Sequence, residues 1–276
     1  MIEKKYGIIG RPLSHSLSPL LHNFWFKKNN IKASYSLIET EKEKIKDVIS
    51  KIRTRDLYGV NVTVPYKQEV IPYLDLVIND AKETASVNTI YLNDENKVIG
   101  ENTDVYGFEQ SFINKINHEN LTKKSFLILG AGGVTSSLIY ALEKKKVKKI
   151  FVSNRTMQKA ENIKKKFLFI KVIPWEKIIQ KAEEIDVIIN ATSLGMKNSP
   201  DFEIQIKKFK PDLIYYDVVY NPVETKMLKN FKENKIKTFN GLEMFIYQGQ
   251  KSFFLWNKIN PSIDDELKKE IILNLK

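Results

Sequence analysis

Residues Ser125 to Ala141 read S-F-L-I-L-G-A-G-G-V-T-S-S-L-I-Y-A. An apolar run, Phe126 to Leu129, stops at Gly130, and a helical pattern starts at Gly133. The stretch predicts a strand, a tight glycine turn and a helix. Gly130 and Gly132 let the backbone turn sharply and approach a pyrophosphate without a Cβ in the way, and Gly133, beyond Ala131, adds room. The free N–H groups and positive dipole end of the helix then face the negative charge. The third glycine of the G-x-G-x-x-G pattern falls at Thr135, so the match is incomplete, and an ordinary βα loop is the alternative reading.

The next strand, Lys149 to Ser153, ends in Asn154-Arg155-Thr156. An NAD site usually puts Asp or Glu here for the ribose 2′-hydroxyl, whereas an NADP site puts a cation near the 2′-phosphate. The chain has four arginines, Arg11, Arg53, Arg55 and Arg155, among 45 basic residues. Where lysine is the default cation, an arginine at this point favours NADP(H), because its planar fork grips phosphate bidentately. The alternative is a solvated surface arginine.

The 276 residues suffice for one large domain or two modest ones. A hydrophobic content of 42% and a charged content of 28% are those of a soluble globular protein. With no cysteine, disulfides, thiolate metal sites and a cysteine nucleophile are excluded. His15, His22 and His118 are too scattered for a metal cluster, so no metal is expected. The start lacks an apolar leader core, and no uninterrupted apolar stretch approaches the ~18 residues of a membrane span, so a cytoplasmic protein is expected. The net charge of +12 raises nucleic acid as a partner. The lysines are dispersed among helix-surface positions, however, and read as solvated surface with some steering of anionic ligands.

Along the chain, Tyr6 to Ile9 predicts a strand, followed by a loop rich in serine and proline. Ser18-Pro19 reads as N-cap and first helical residue of a helix to about Asn29, leaving Ser14 and Ser16 with no capping role and facing one side. Two hydroxyls so placed suit a carboxylate or polyol. Ala33 to Ile38 predicts a strand and Lys42 to Arg53 an amphipathic helix; Tyr58 to Val64 is a β-branched strand ended by Pro65. Lys67 is thereby placed at a strand's C-terminal end, where open α/β sheets hold ligands. Pro72 to Thr84 predicts a helix, 85–89 leads into a strand to Leu92 that a polar hairpin turn, 93–97, joins to Val98 and Ile99, and 103–114 predicts a helix crossing to the glycine-rich half. Asp104 favours the start of that helix. Beyond Arg155 follow a helix over 157–166, strands near 169–172, 186–190, 212–217 and 237–239, a helix over 225–234, and helices over 242–256 and 264–275.

Together the segments S-H-S-L-S-P-x-x-H-N (14–23), N-V-T-V-P-x-K (61–67), V-N-T (87–89), E-N-T-D (101–104), G-A-G-G, N-R-T, N-A-T-S-L-G-M, Y-D-V-V-Y-N-P and N-G-L-x-M-x-x-x-Q (240–248) occur in the order seen in the shikimate dehydrogenase family, which the chain resembles over nearly its whole length. The resemblance implies an α/β fold: an N-terminal α/β substrate domain, residues 1–103, completed by C-terminal helices, 241–276, around a Rossmann-type NADP-binding domain, 104–240. It implies NADPH-dependent reduction of 3-dehydroshikimate to shikimate, a step towards aromatic amino acids. On the motif matches, Lys67 and Asp104 form the catalytic pair. Ser14 and Ser16 bind the ring carboxylate with help from Tyr220, and Thr63, Asn88 and Gln248 hydrogen-bond the ring hydroxyls. Gly130, Ala131, Gly132, Gly133, Asn154, Arg155, Thr156, Thr192, Gly241 and Met244 line the cofactor site.

The residue chemistry agrees. Reduction of a ketone leaves an alkoxide that needs a proton, and an ammonium beside a carboxylate supplies charge and proton. The chain departs from the family at Lys159, where a further arginine is frequent, which loosens the expected grip on the 2′-phosphate. The rival within the family is a quinate/shikimate dehydrogenase; the rival of another class is a non-catalytic NADP-binding or basic nucleic-acid-binding protein, against which the Lys67 and Asp104 pair argues. The expected partners are small-molecule substrates, with no nucleic acid and no membrane, in a monomer or homodimer.

Overall fold

Short β-branched and aromatic runs alternating with amphipathic stretches build two six-stranded sheets. The computed structural model describes residues 3–116, 121–196, 199–200 and 204–275. The chain divides into two compact units, Met1–Gly107 with Ile246–Asn274, and Phe108–Phe245 with Leu275–Lys276.

The first unit contains β1 (Lys4–Gly10), β2 (Ala33–Glu39), β3 (Gly59–Val62), β4 (Leu76–Val77), β5 (Thr89–Leu92) and β6 (Val98–Glu101) in the order β2-β1-β3-β5-β6-β4. β1 runs parallel to β2 and β3, whereas β5 is antiparallel to β3 and β6. Its helices include α1 (Ser18–Lys28), α2 (Ile45–Arg53) and α3 (Asp80–Thr84). Apolar positions spaced along α2, Ile45, Val48, Ile49 and Ile52, meet Ile9, Val60, Val62 and Ile90 of the sheet in one core cluster. A second core is aromatic. There His22, wholly buried, stacks on Tyr35 with ring centroids 4.4 Å apart and meets Trp25 edge-on at 5.7 Å. Burial pushes the His22 imidazole down to about 3, against a weaker upward pull from the Asn61 side chain.

The second unit holds β7 (Ser125–Leu129), β8 (Lys149–Ser153), β9 (Lys171–Val172), β10 (Val187–Asn190), β11 (Ile214–Asp217) and β12 (Lys237–Phe239). All its pairings are parallel, in the order β12-β11-β10-β7-β8-β9. The order reverses between β7 and β10, which is the doubly wound arrangement of dinucleotide-binding sheets. The chain enters this unit within α4 (Asp104–Ser111) and leaves it within a later helix, Leu242–Asn257. Between them lie α5 (Thr135–Lys144), α6 (Met157–Lys166) and α7 (Lys226–Glu233); the helix Leu242–Asn257 is α8 and Asp265–Asn274 is α9.

Two sequence expectations change. The helix over 72–84 is instead a single 3₁₀ turn, Ile71–Tyr73, then β4 and the short α3. Asp75 explains this: its backbone N–H bonds the Val98 carbonyl (3.0 Å) and its carboxylate takes the Val98 N–H (2.7 Å), drawing the chain onto the sheet edge beside β6. The N-cap of α1 is Leu17, not Ser18, and the hydroxyl that takes the Ser18 N–H is that of Ser16 (3.3 Å). The two compact units join in the chain at 107/108 and 245/246. Asp104 is hydrogen-bonded within the first unit, and Gly241 packs against the backbone at Val218 in the second. His118 lies outside the described residues.

Candidate active site

Beyond β3 the chain turns through Thr63-Val64-Pro65, closed by the Tyr66 N–H on the Thr63 carbonyl (2.9 Å). The Val87 N–H bonds the Lys67 carbonyl at 2.8 Å and ties the turn to the approach of β5. Lys67 Nζ meets Asp104 Oδ2 at 2.5 Å, with side chains only 12% and 7% exposed. Asp104 opens α4, and Asn102 Oδ1 caps that start by accepting the N–H groups of Asp104 (3.0 Å) and Val105 (3.2 Å). The second carboxylate oxygen of Asp104 accepts Asn88 Nδ2 at 2.9 Å. Asn88 Oδ1 accepts the Thr103 backbone N–H at 2.7 Å, a donor that cannot be reversed, so the Asn88 amide has one orientation. The result is an ammonium held at one point by an oriented carboxylate, able to pass a proton to an oxygen brought beside it.

The other expected substrate contacts are distributed. Thr63 is half-buried, and Gly10 is what lets it approach: a Cβ on Gly10 would lie 2.4 Å from Thr63 Cγ2. Ser14 is exposed and Ser16 half-buried. Ser16 lies 3.2 Å from the Ser18 hydroxyl besides taking the Ser18 N–H, so it has a local structural bond that the sequence reading did not foresee. Gln248 is half-buried on α8, its carbonyl accepting the Ser252 hydroxyl at 3.0 Å. Asn88 is buried, and its amide hydrogens are directed to Asp104 and to Thr103 Oγ1 (3.0 Å), so in this geometry it positions Asp104. Tyr220 belongs to the second unit, where it stacks on Phe245 at 4.3 Å, whereas Ser14 and Ser16 belong to the first.

In the second unit the glycine turn follows β7. Gly130 has φ +110°, and a Cβ there would lie 2.8 Å from the Ala191 carbonyl oxygen, so the position requires glycine. A Cβ at Gly132 would meet nothing within 4 Å, so that glycine borders open space. The helix begins at Thr135, two residues past Gly133, and the Thr135 hydroxyl donates to the Gly130 carbonyl at 3.1 Å. That bond gives the residue in the third glycine's place a role in closing the turn. Asn154 Oδ1 takes the Ala131 N–H (3.1 Å) while Nδ2 holds the Thr156 carbonyl (2.8 Å), joining the glycine turn to the end of β8. Arg155 and Thr156 are exposed, and among the described residues no carboxylate pairs with Arg155. A glycine cradle beside an exposed guanidinium fits a pyrophosphate bearing a further phosphate. Thr192 folds its own loop: its hydroxyl donates to Asn190 Oδ1 (2.6 Å) and accepts the Leu194 N–H (3.0 Å). Gly241 has no space for a Cβ, which would fall 2.0 Å from the Val218 carbonyl oxygen, and Met244 is buried on α8.

Two family profiles cover most of the chain. The one described as shikimate dehydrogenase substrate binding domain matches residues 8–90, and the one described as shikimate / quinate 5-dehydrogenase matches residues 113–210. A shikimate dehydrogenase (NADP+) of Pelagibacter ubique is 47% identical over 265 residues, covering 96% of this chain and 97% of its own. The chain belongs to the shikimate dehydrogenase family. Among solved structures, shikimate dehydrogenase from Aquifex aeolicus superposes with a TM-score of 0.87 at 36% identity, covering 98% of this chain and 99% of that one. The Thermus thermophilus enzyme, solved in complex with NADP(H) and shikimate, gives a TM-score of 0.85 at 29% identity, covering 99% and 100%. The fold is therefore that of shikimate dehydrogenases, with an N-terminal substrate domain and a Rossmann-like NADP-binding domain.

Sequence reasoning within this family pattern missed Asn102, Asn190 and Asp217. Asn102 was findable, since Asn two residues before a helix-opening Asp is an N-cap spacing. Asn190 and Asp217 each end a buried strand with a polar side chain, a weaker signal that gains meaning only when the two are seen to bond.

Proposed function

We propose that this chain is an NADP-dependent shikimate dehydrogenase that uses Lys67 and Asp104 to reduce 3-dehydroshikimate reversibly to shikimate. The observation that carries the reading is the Lys67–Asp104 pair, largely shielded from solvent and oriented by Asn88 and Asn102. NADPH, when bound, supplies the hydride, and the residues suited to hold it are the glycine turn 130–133, Asn154 and Arg155. Lys67 gives its proton to the oxygen that gains charge at C3, while Asp104 keeps the ammonium in place and stabilises it before transfer. In the reverse direction the neutral amine accepts the proton from the hydroxyl. Ser14 and Ser16 receive the substrate carboxylate, with Tyr220 assisting, and Thr63 and Gln248 bond the ring hydroxyls. Thr156, Thr192, Gly241 and Met244 complete the cofactor surroundings.

Among the described residues no helix is long and apolar enough to cross a membrane. The dispersed lysines support small-molecule partners and no nucleic acid; a cytoplasmic enzyme, monomeric or homodimeric, completes the reading. The test is oxidation of shikimate and quinate by purified protein with NADP and with NAD. Shikimate with NADP is expected to be the fastest combination. Faster turnover of quinate, or equal use of NAD, would overturn the assignment of substrate or cofactor.

A further inference from the structure

Asp217, the last residue of β11, is 0% exposed. Among the described residues no lysine or arginine forms an ion pair with it. Neutral donors converge on it instead. Oδ1 accepts Asn190 Nδ2 (3.0 Å) and the Val219 N–H (3.0 Å), and Oδ2 accepts the hydroxyls of Tyr215 (3.1 Å) and Thr225 (2.7 Å). Burial pushes the carboxyl up to about 6 against the downward pull of those donors. A buried carboxyl without a counter-ion costs stability, and here four neutral donors offset that cost.

What Asp217 does that an apolar residue cannot is join three segments. Asn190 heads the turn after β10, and its Oδ1 accepts the Thr192 N–H (3.1 Å), which sets its amide with Nδ2 towards Asp217. Val219 lies in the turn after β11, and its carbonyl takes the Gly241 N–H at 3.1 Å. Thr225 is the N-cap of α7, accepting the Leu228 N–H at 3.1 Å, and the loop residue Gly195 packs against it so closely that a Cβ would lie 2.9 Å from Thr225 Cβ. In this strand order the glycine turn and Arg155 follow β7 and β8, on one side of the reversal point. The turns after β10 and β11 lie on the other side, where the second half of a dinucleotide binds.

We propose that Asp217 is a positioning residue for the nicotinamide half of the cofactor site, holding the turns at 190–195 and 218–222 in register with each other. The proposal rests on the NADP-dependent reading above. The test is Asp217→Asn, which removes the charge and replaces one acceptor oxygen by an N–H, with two dissociation constants measured by titration: NADP, and 2′,5′-ADP, which lacks the nicotinamide half. NADP binding is expected to weaken roughly tenfold while 2′,5′-ADP stays within about twofold. Equal weakening of both would reveal a general structural role, and no change in either would mean the carboxylate positions nothing; both outcomes overturn the proposal. If Asp217→Asn does not fold, Asn190→Ala cuts the link from the carboxylate to the first turn and is judged by the same ratio. Failure of the unmodified protein to bind NADP would remove the cofactor reading itself, and the proposal with it.

Discussion

At Lys67 the expected chemistry depends on one contact, the 2.5 Å bond to Asp104. Lys67→Ala should lower kcat by roughly 10²–10⁴ with little change in the shikimate KM, because proton transfer is an interaction of the transition state. Asp104→Asn should also lower kcat, and the double variant should lose less than the product of the single losses, since the two act as a unit. Steady-state kinetics with protein of verified melting temperature decides. A kcat within about twofold of the unmodified enzyme would require another proton donor. Arg155 supports a second expectation. It is exposed and has no carboxylate partner among the described residues. Arg155→Ala should therefore raise the NADP KM roughly ten- to hundredfold and leave the NAD KM nearly unchanged. Parallel changes in both would assign Arg155 to ordinary surface.

At the scale of elements, the start of α4 links stability to the site. Asn102 accepts two backbone N–H groups there and also bonds the Ser86 carbonyl through Nδ2 at 2.8 Å. Asn102→Ala should cost about 1 kcal/mol, the usual loss for a removed cap. Because Asp104 is the first residue of the helix, kcat should fall as well. Urea denaturation followed beside turnover checks this; a stability loss with unchanged kcat would show that Asp104 is held by Lys67 and Asn88 alone. Elements such as β8, α6 and β12 were legible to the residue, because each is a short periodic run bounded by turn residues. β4 was not. Leu76 and Val77 are strand only because β6 lies beside them, and the local sequence favours a helix.

Across the whole molecule, each unit contains a buried titratable group, and the two respond to pH with opposite sign. His22 in the first unit falls from an ordinary 6.5 to about 3. Its contribution is full above pH 6.5 and is lost as pH falls towards 3, because the unfolded chain takes the proton first. The slope is at most about 1.4 kcal/mol per pH unit. Asp217 in the second unit rises from 3.8 to about 6, so its contribution is present below 3.8 and is lost as pH rises through 6. Melting or urea curves of unmodified protein and His22→Gln between pH 4 and 7 should show a shallower acid loss in the variant. Equal slopes would mean that the imidazole is protonated in the folded state.

The local structure around the candidate site could be read without coordinates. The glycine turn, the strand ends carrying Lys67 and Arg155, and the helix opening at Asp104 follow from local rules: where glycine frees the backbone, where proline stops a strand, and which residues start helices. These depend on neighbours in the chain, and periodicity makes them visible. The sequence could not show that Asn88 Nδ2 faces Asp104 or that Asp217 gathers donors from three segments. Such bonds join residues whose separation is set by strand register and loop packing, and one polar residue looks like another until a donor and an acceptor are brought within about 3 Å. Local sequence therefore determined most of the elements, while tertiary structure decided β4 and the orientation of polar groups such as Asn88 and Asp217, because their partners are distant in the chain.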